Sequence, residues 1–337
     1  MRSPKPSTAL ARRAGLALLL FLLPTLARAD AARPGPLAAS TAFVYLPVIF
    51  KDLCSPAVPT STDWLAYVNY YRALACLPPV TENAAFSDGD RKHAQYMVKN
   101  DFIGHYEEPS LPYYTPEGDA AARNSNVMVS SDVNAADPYA LELWMRGPFH
   151  AVGILDPKLQ QVGFGSYREA DGDWQMAAAL DVLRGLGSVP GSVTFPVKWP
   201  ADGQAVNLKS FNGYETPDPL TSCPGYTAPS GLPIILQLGV GNTDPSNTSG
   251  SITQGVTTLP SCLFDETNYA NPDLTLQNLG RAVLATRDAI VLVPRNSLTP
   301  GATYTVSITS RSQTHVWSFA VSPSATALEA EPEALIR

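Results

Sequence analysis

The chain has 337 residues, 45% of them hydrophobic and only 16% charged, with 31 Pro and 23 Gly. This length allows more than one core, and the balance favours strands and loops over long exposed helices. The formal net charge is −7, and because residues 1–29 hold five basic side chains and no acidic one, −7 − 5 leaves −12 on the remainder; such an acidic chain, without any basic run, argues against nucleic acid and anionic membranes as partners.

Arg2, Lys5, Arg12 and Arg13 precede an apolar run from Ala14 to Leu23, and Ala27-Arg28-Ala29 supplies the small residues of a cleavage site. Residues 1–29 are therefore expected to be a secretory signal, giving a secreted, extracellular or cell-surface protein. The run is too short for a stable membrane span, which needs about 20 apolar residues. Residues 30–60 are expected to be a linker followed by an apolar arm at Thr41–Phe50, which must find cover. The four cysteines fit export. Of three connectivities, the pairs Cys54 with Cys76 and Cys223 with Cys262 are the most economical.

Thr62 or Asp63 can cap a helix running through Ala75, with Trp64, Leu65, Val68, Tyr71 and Ala75 on one face and Pro78-Pro79 ending it. A second helix is predicted from about Ser87 to Asn100, and a short one from Glu117 to Arg123. Its spacing puts His93 on the packed side of the second helix, and Arg72 on the first is expected to tie helices together. Asp137-Pro138 reads as a capping carboxylate with proline at the first helical position, and Gly147-Pro148 ends that helix after Arg146. Gln161–Tyr167 and Trp174–Val182 read as a hairpin around Asp171-Gly172. Helices followed by a hairpin describe an α+β domain over residues 61–187.

Several residues in this region carry a family resemblance. Asn69-Tyr-Tyr-Arg72, His93-Ala94 with Met97, and Phe102-Ile-Gly-His105 occur in order, followed by Trp144-Met-Arg-Gly-Pro-Phe-His150-Ala-Val-Gly-Ile-Leu155 and Val162-Gly-Phe-Gly165. The series resembles bacterial SCP-like members of the CAP superfamily (cysteine-rich secretory, antigen 5 and pathogenesis-related proteins). The resemblance implies an α-β-α sandwich and a cleft in which His105 and His150 converge, with zinc or another divalent metal as the cofactor that some members hold there. It also exposes two departures: Arg123 stands where the family's Gly-Glu-Asn element has glutamate, and Gly147 stands where many members keep a second one. Glu107, Glu108 and Glu142 are the available replacements. Glu142 and Tyr106 are expected beside the histidines as further cleft residues, while Tyr113 and Tyr114 either line a groove or cover loop backbone.

Residues 188–323 change character, with short apolar strands at Val193–Val197, Ile234–Val240, Ala289–Pro294, Thr303–Ser310 and His315–Val321. Leu298-Thr-Pro-Gly-Ala-Thr-Tyr-Thr-Val306 followed by Trp317-Ser-Phe319 resembles the closing hairpin of bacterial Ig-like modules, implying an all-β sandwich. Residues 324–337, carrying Glu329, Glu331 and Glu333, read as a disordered tail.

No Gly-x-Ser-x-Gly, His-Glu-x-x-His, phosphate loop or dinucleotide fingerprint is present. The expectation is non-enzymatic binding of an extracellular or cell-surface ligand, a lipid, sterol or envelope component by family analogy, through the histidine cleft. The alternatives are a metal-dependent or histidine-assisted hydrolase, with Ser125 or Ser166 as nucleophile, and a structural surface component with a vestigial cleft.

Overall fold

The computed structural model describes residues 54, 56–325 and 334–337; the signal segment and the apolar arm lie outside the described residues. Helix α1 (Trp64–Leu74) begins at Asp63, whose carboxylate accepts the Leu65 N–H at 3.0 Å. Strand β1 (Thr81–Glu82) leads into α2 (Ala84–Lys99), which Asn83 caps three residues earlier than the sequence suggested. Helix α3 (Pro116–Ala122) is capped by Thr115. Strand β2 (Ser125–Ser130), helices α4 (Asp137–Arg146) and α5 (Pro148–Ile154), and strands β3 (Gln161–Arg168) and β4 (Met176–Asp181) complete the first half. Asp137 is not the cap of α4. It lies inside the first turn, and its carboxylate accepts from Ser166 Oγ at 2.8 Å and from Arg168 Nη2 at 2.6 Å.

Strands β3 and β4 form the expected hairpin, β2 pairs antiparallel with the other edge of β4, and β1 adds parallel to β3. Alternation along the strands separates two faces. Val127, Val129, Ala177 and Ala179 pack with Ala94, Met97 and Val98 of α2, whereas Met128, Met176, Ala178 and Leu180 join the core that contains α4 and α5. Helix α2 lies so close to β3 that a Cβ on Gly165 would fall 2.0 Å from the Arg91 nitrogen, which is why glycine occupies that position. The result is the α-β-α layering that the resemblance implied.

The second half holds β5 (Val197–Trp199), β6 (Ala205–Val206), β7 (Ser210–Phe211), β8 (Ser230–Gly231), β9 (Ile234–Gln237), β10 (Ser249–Gln254), β11 (Thr257–Leu259), β12 (Ser261–Asp265), α6 (Leu274–Ala285), β13 (Ala289–Pro294), β14 (Thr303–Ser310), β15 (Gln313–Val321) and β16 (Ala334–Ile336). One sheet has the order β11-β10-β14-β15-β6, another β12-β13-β9-β5, and β7 pairs with β8. The two larger sheets pack together at Gly250, where a Cβ would meet Leu263 at 2.7 Å and Leu292 at 3.1 Å. The disulfides are Cys54–Cys76 and Cys223–Cys262, the economical pairing.

Three further features depart from the sequence reading. Helix α6 stands among the strands, started by Asp273, whose carboxylate accepts from Thr275 and Leu276 N–H; it went unread because the surrounding composition is that of loops and strands. The change of character near residue 188 is not a gap in the core. Phe149 of α5 packs on Tyr269 and Phe264, with ring centroids 5.0 and 6.2 Å away, Tyr71 meets Trp199 edge-on at 5.9 Å, and Gln237 Nε2 donates to Leu155 O at 3.0 Å. Finally, residues 334–336 are not a disordered tail: β16 pairs with the free edge of β2, Leu335 opposite Val129 and Ile336 opposite Met128. The acidic stretch before them hides a short apolar segment that satisfies an otherwise open strand edge.

Candidate functional site

His150 sits in the first turn of α5, immediately after the Gly147-Pro148 break. Its Nδ1 lies 2.7 Å from Glu215 Oε1, which also accepts the His150 backbone N–H at 3.0 Å. Glu215 follows β7 in the chain and is 3% exposed. Its carbon chain enters beside Gly147, where a Cβ would lie 2.6 Å from the carboxylate carbon. The missing glutamate at position 147 is thus answered by a carboxylate from 68 residues downstream, and Gly147 is the space it occupies. Burial raises the Glu215 pKa, and the bond to His150 opposes that rise.

His105 comes from the turn after α2. Its Nδ1 is 3.0 Å from the Ala122 carbonyl, which can only accept, so Nδ1 carries the proton and Nε2 keeps a lone pair. Burial of the ring among its neighbours is the main cause that lowers its pKa, to about 4, with repulsion from His150 and His93 adding to it and the Ala122 bond opposing it. The residue as a whole keeps contact with solvent, which weakens this shift but leaves its direction.

The two histidines line one pocket of about 430 Å³, a volume suited to a small organic ligand. Arg123, Arg287 and Arg337 supply its cationic groups. Its surface is mostly apolar, built from Phe149, Val182 and Leu183 together with Leu279 and Val283 of α6. Arg123 forms a two-pronged pair with Asp119, both contacts at 2.9 Å, and Arg287 pairs with buried Asp156 at 2.9 Å. Arg337 Nη1 donates to Ile103 O at 3.2 Å.

The remaining sequence-derived candidates lie elsewhere. Glu142 is turned toward α1: burial raises the pKa values of Tyr67, Tyr70 and Tyr71 and the Glu142 charge adds to the rise, and Glu142 does not line the pocket. Tyr106 follows His105 in the chain but is half exposed and packs edge-on against Phe102 at 5.3 Å. Glu107 is buried and committed, with Oε1 3.1 Å from His93 Nδ1 and Oε2 accepting the Thr115 N–H at 2.9 Å. Glu108 is exposed and bonded to Ser110. His93 is fully buried, and its Nε2 must donate to Gly104 O at 2.9 Å. Ser125 lines the pocket but bonds Asp90 and Ala121 O, at 2.7 and 2.8 Å, rather than either histidine; Ser166 is held by Asp137 and Arg168 in a separate shallow depression. Sequence reasoning missed Glu215, Arg287, Arg337 and α6, because no local pattern announces a partner that arrives from another part of the chain.

This donor set does not fit a divalent cation. Two imidazoles and three arginines line the pocket and no acidic side chain does, whereas a zinc centre needs three or four ligands. The only group of three or more potential metal ligands drawn together among the described residues lies elsewhere, at Asp244, Glu266 and Asp288. What the arrangement can offer an anion is guanidinium groups, which give charge-assisted hydrogen bonds, within an apolar enclosure; the lone pair on His105 Nε2 can only accept a hydrogen bond there.

A family model described as the cysteine-rich secretory protein family, CAP, matches residues 65–176. The matched stretch, about a third of the chain, contains both His105 and His150. Glu215, Leu279, Val283, Arg287 and Arg337 all fall outside it. No curated protein and no solved structure matches the chain. Members of the family are typically extracellular, the two disulfides suit that setting, and no helix among the described residues is long and apolar enough to cross a membrane.

Proposed function

We propose that this is an exported CAP protein that binds, without chemical turnover, a small amphipathic anion: a lipid with a carboxylate or phosphate head and an apolar tail. The observation that carries the reading is the composition of the histidine pocket, in which three arginines share one mostly apolar cavity with no acidic side chain. A neutral sterol would gain nothing from Arg337, whose guanidinium has no carboxylate partner among the described residues and makes one hydrogen bond to a carbonyl, whereas an anionic head would supply its counter-charge. Absence of turnover is supported by the serines. Neither Ser125 nor Ser166 is bonded to a histidine, so neither of these two hydroxyls forms the serine–histidine pair of a nucleophilic hydrolase.

The test is calorimetric titration with dodecanoate and, as an uncharged control, dodecanol. Dodecanoate is expected to bind one-to-one, and dodecanol about tenfold more weakly or worse. An Arg123→Ala/Arg337→Ala variant is expected to lose about 10- to 100-fold in dodecanoate affinity, the worth of one or two charge-assisted bonds. Equal affinity for acid and alcohol would overturn the reading. Release of an acyl-ester reporter that disappears in His150→Ala would replace it with a hydrolase.

A further inference from the structure

Outside the histidine pocket, the turn between α6 and β13 gathers three carboxylates. Asp244, Glu266 and Asp288 each place an oxygen within 4.8 Å of the others. Asp288 is fully buried. Its Oδ2 accepts the backbone N–H groups of Gly241, Asn242 and Thr243 at 2.9, 3.0 and 3.0 Å, which fixes the carboxylate rigidly, while Oδ1 has no partner. Glu266 Oε2 is likewise buried and unpartnered. Buried carboxylate oxygens without a donor are rare, since each forfeits its hydration with nothing in return.

No protein cation among the described residues accounts for these oxygens. None of the three carboxylates takes part in an ion pair among the described residues, and neighbouring Arg287 is turned away to Asp156. Asp265, the remaining acid nearby, is already used: Oδ1 accepts from Thr267 N–H at 2.8 Å and Oδ2 from Thr248 Oγ1 at 2.7 Å. Asp288 also adopts a left-handed backbone, with φ at 46°, which is a conformation held by its setting.

We infer that Asp244, Glu266 and Asp288 form a calcium site that fastens the loop around Gly241 to the end of β12 and the start of β13. The donors are all hard oxygens, which select Ca²⁺ or Mg²⁺ over softer metals. Calcium is favoured because its bonds of about 2.3–2.6 Å let two ligands on one ion stand nearly 5 Å apart and tolerate irregular geometry, whereas Mg²⁺ demands a tighter octahedron. Asp244 is exposed, so water can complete the coordination from its side. Extracellular calcium sites of this kind bind at about 10⁻⁴–10⁻³ M, a range matched to the compartment proposed for the protein.

The test uses the full processed protein stripped with a chelator, titrated calorimetrically with CaCl₂ and then with MgCl₂, and melted with and without Ca²⁺. Among the described residues neither the Glu266 nor the Asp244 side chain makes a hydrogen bond, so Glu266→Gln and Asp244→Asn can be compared as folded proteins. The wild type is expected to bind one Ca²⁺ saturably and to gain about 3–8 °C in Tm when Ca²⁺ is about 100-fold over Kd. Glu266→Gln should weaken binding at least about tenfold, and the double variant should show no Tm gain. A folded wild type that gives neither heat nor a Tm shift at about 10 mM Ca²⁺ would overturn the site, as would binding that persists unchanged in the double variant. Equal affinity for Mg²⁺ would overturn the choice of calcium.

Discussion

His105 and His150 have the same orientation of protons and different reasons for it. In each, Nδ1 faces an acceptor inside the protein, a carbonyl for His105 and the Glu215 carboxylate for His150. The depressed pKa of His105 gives a pH signature. A folded-state value below the unfolded value of about 6.5 means that the unfolded chain takes up a proton first as pH falls, so stability is lost between about pH 6.5 and 4 and is recovered as pH rises through that window. Denaturant unfolding at several pH values should show this slope in the wild type and a smaller one in His105→Gln, and the His105 Cε1–H resonance should titrate below 6.5. A His105 resonance that titrates at or above 6.5 would contradict the account. The histidine pair was legible because both lie in ordered motifs. Glu142 and Tyr106 were placed with them by proximity in sequence, but one faces the tyrosines of α1 and the other packs on Phe102, directions that spacing alone does not fix.

Among elements, the α4–α5 junction decides how the site is held. Arg72 of α1 anchors the far end of α5, donating to Pro78 O at 2.9 Å, Ile154 O at 2.7 Å, Asp156 O at 3.1 Å and Leu159 O at 3.3 Å. This fulfils the bridging role expected of a buried arginine in the first helix and uses the carbonyls that a helix C-terminus leaves open. At the near end, Gly147 admits Glu215. Gly147→Ala should therefore drive the carboxylate from His150 and cost about 1–3 kcal/mol, measured by denaturant unfolding. Glu215→Gln keeps an oxygen acceptor for both His150 bonds and removes a buried charge, so it should stay within about 1 kcal/mol of the wild type. If alanine at 147 costs no more than glutamine at 215, the glycine is not reserved for that carboxylate. Most elements of residues 61–187 were readable from caps, Gly-Pro and Asp-Gly signals, with boundaries displaced by a few residues. The Asp137 cap was misread because its carboxylate is claimed by Ser166 and Arg168, partners from β3 that no local pattern reveals.

At the level of the whole molecule, the stretch that the CAP family model matches does not complete its own pocket. The buried pair Arg287–Asp156, the bond from Gln237 to Leu155 O, and the packing of Phe149 on Tyr269 and Phe264 join the strand-rich half to the back of α5. That half delivers Glu215 to one histidine and the apolar face of α6 to the cavity. The composition shift near residue 188 therefore marked a change of secondary structure and concealed a shared core, because amphipathic strands look alike whether they cover one another or a neighbouring helix. The most direct test of a single pocket built by both halves is an NMR titration of methyl-labelled protein with dodecanoate. The account predicts that the His105 and His150 ring signals and the Leu279 and Val283 methyl signals move together and saturate at one equivalent. Shifts confined to the histidines or to α6, or no shifts at about 1 mM ligand, would contradict it.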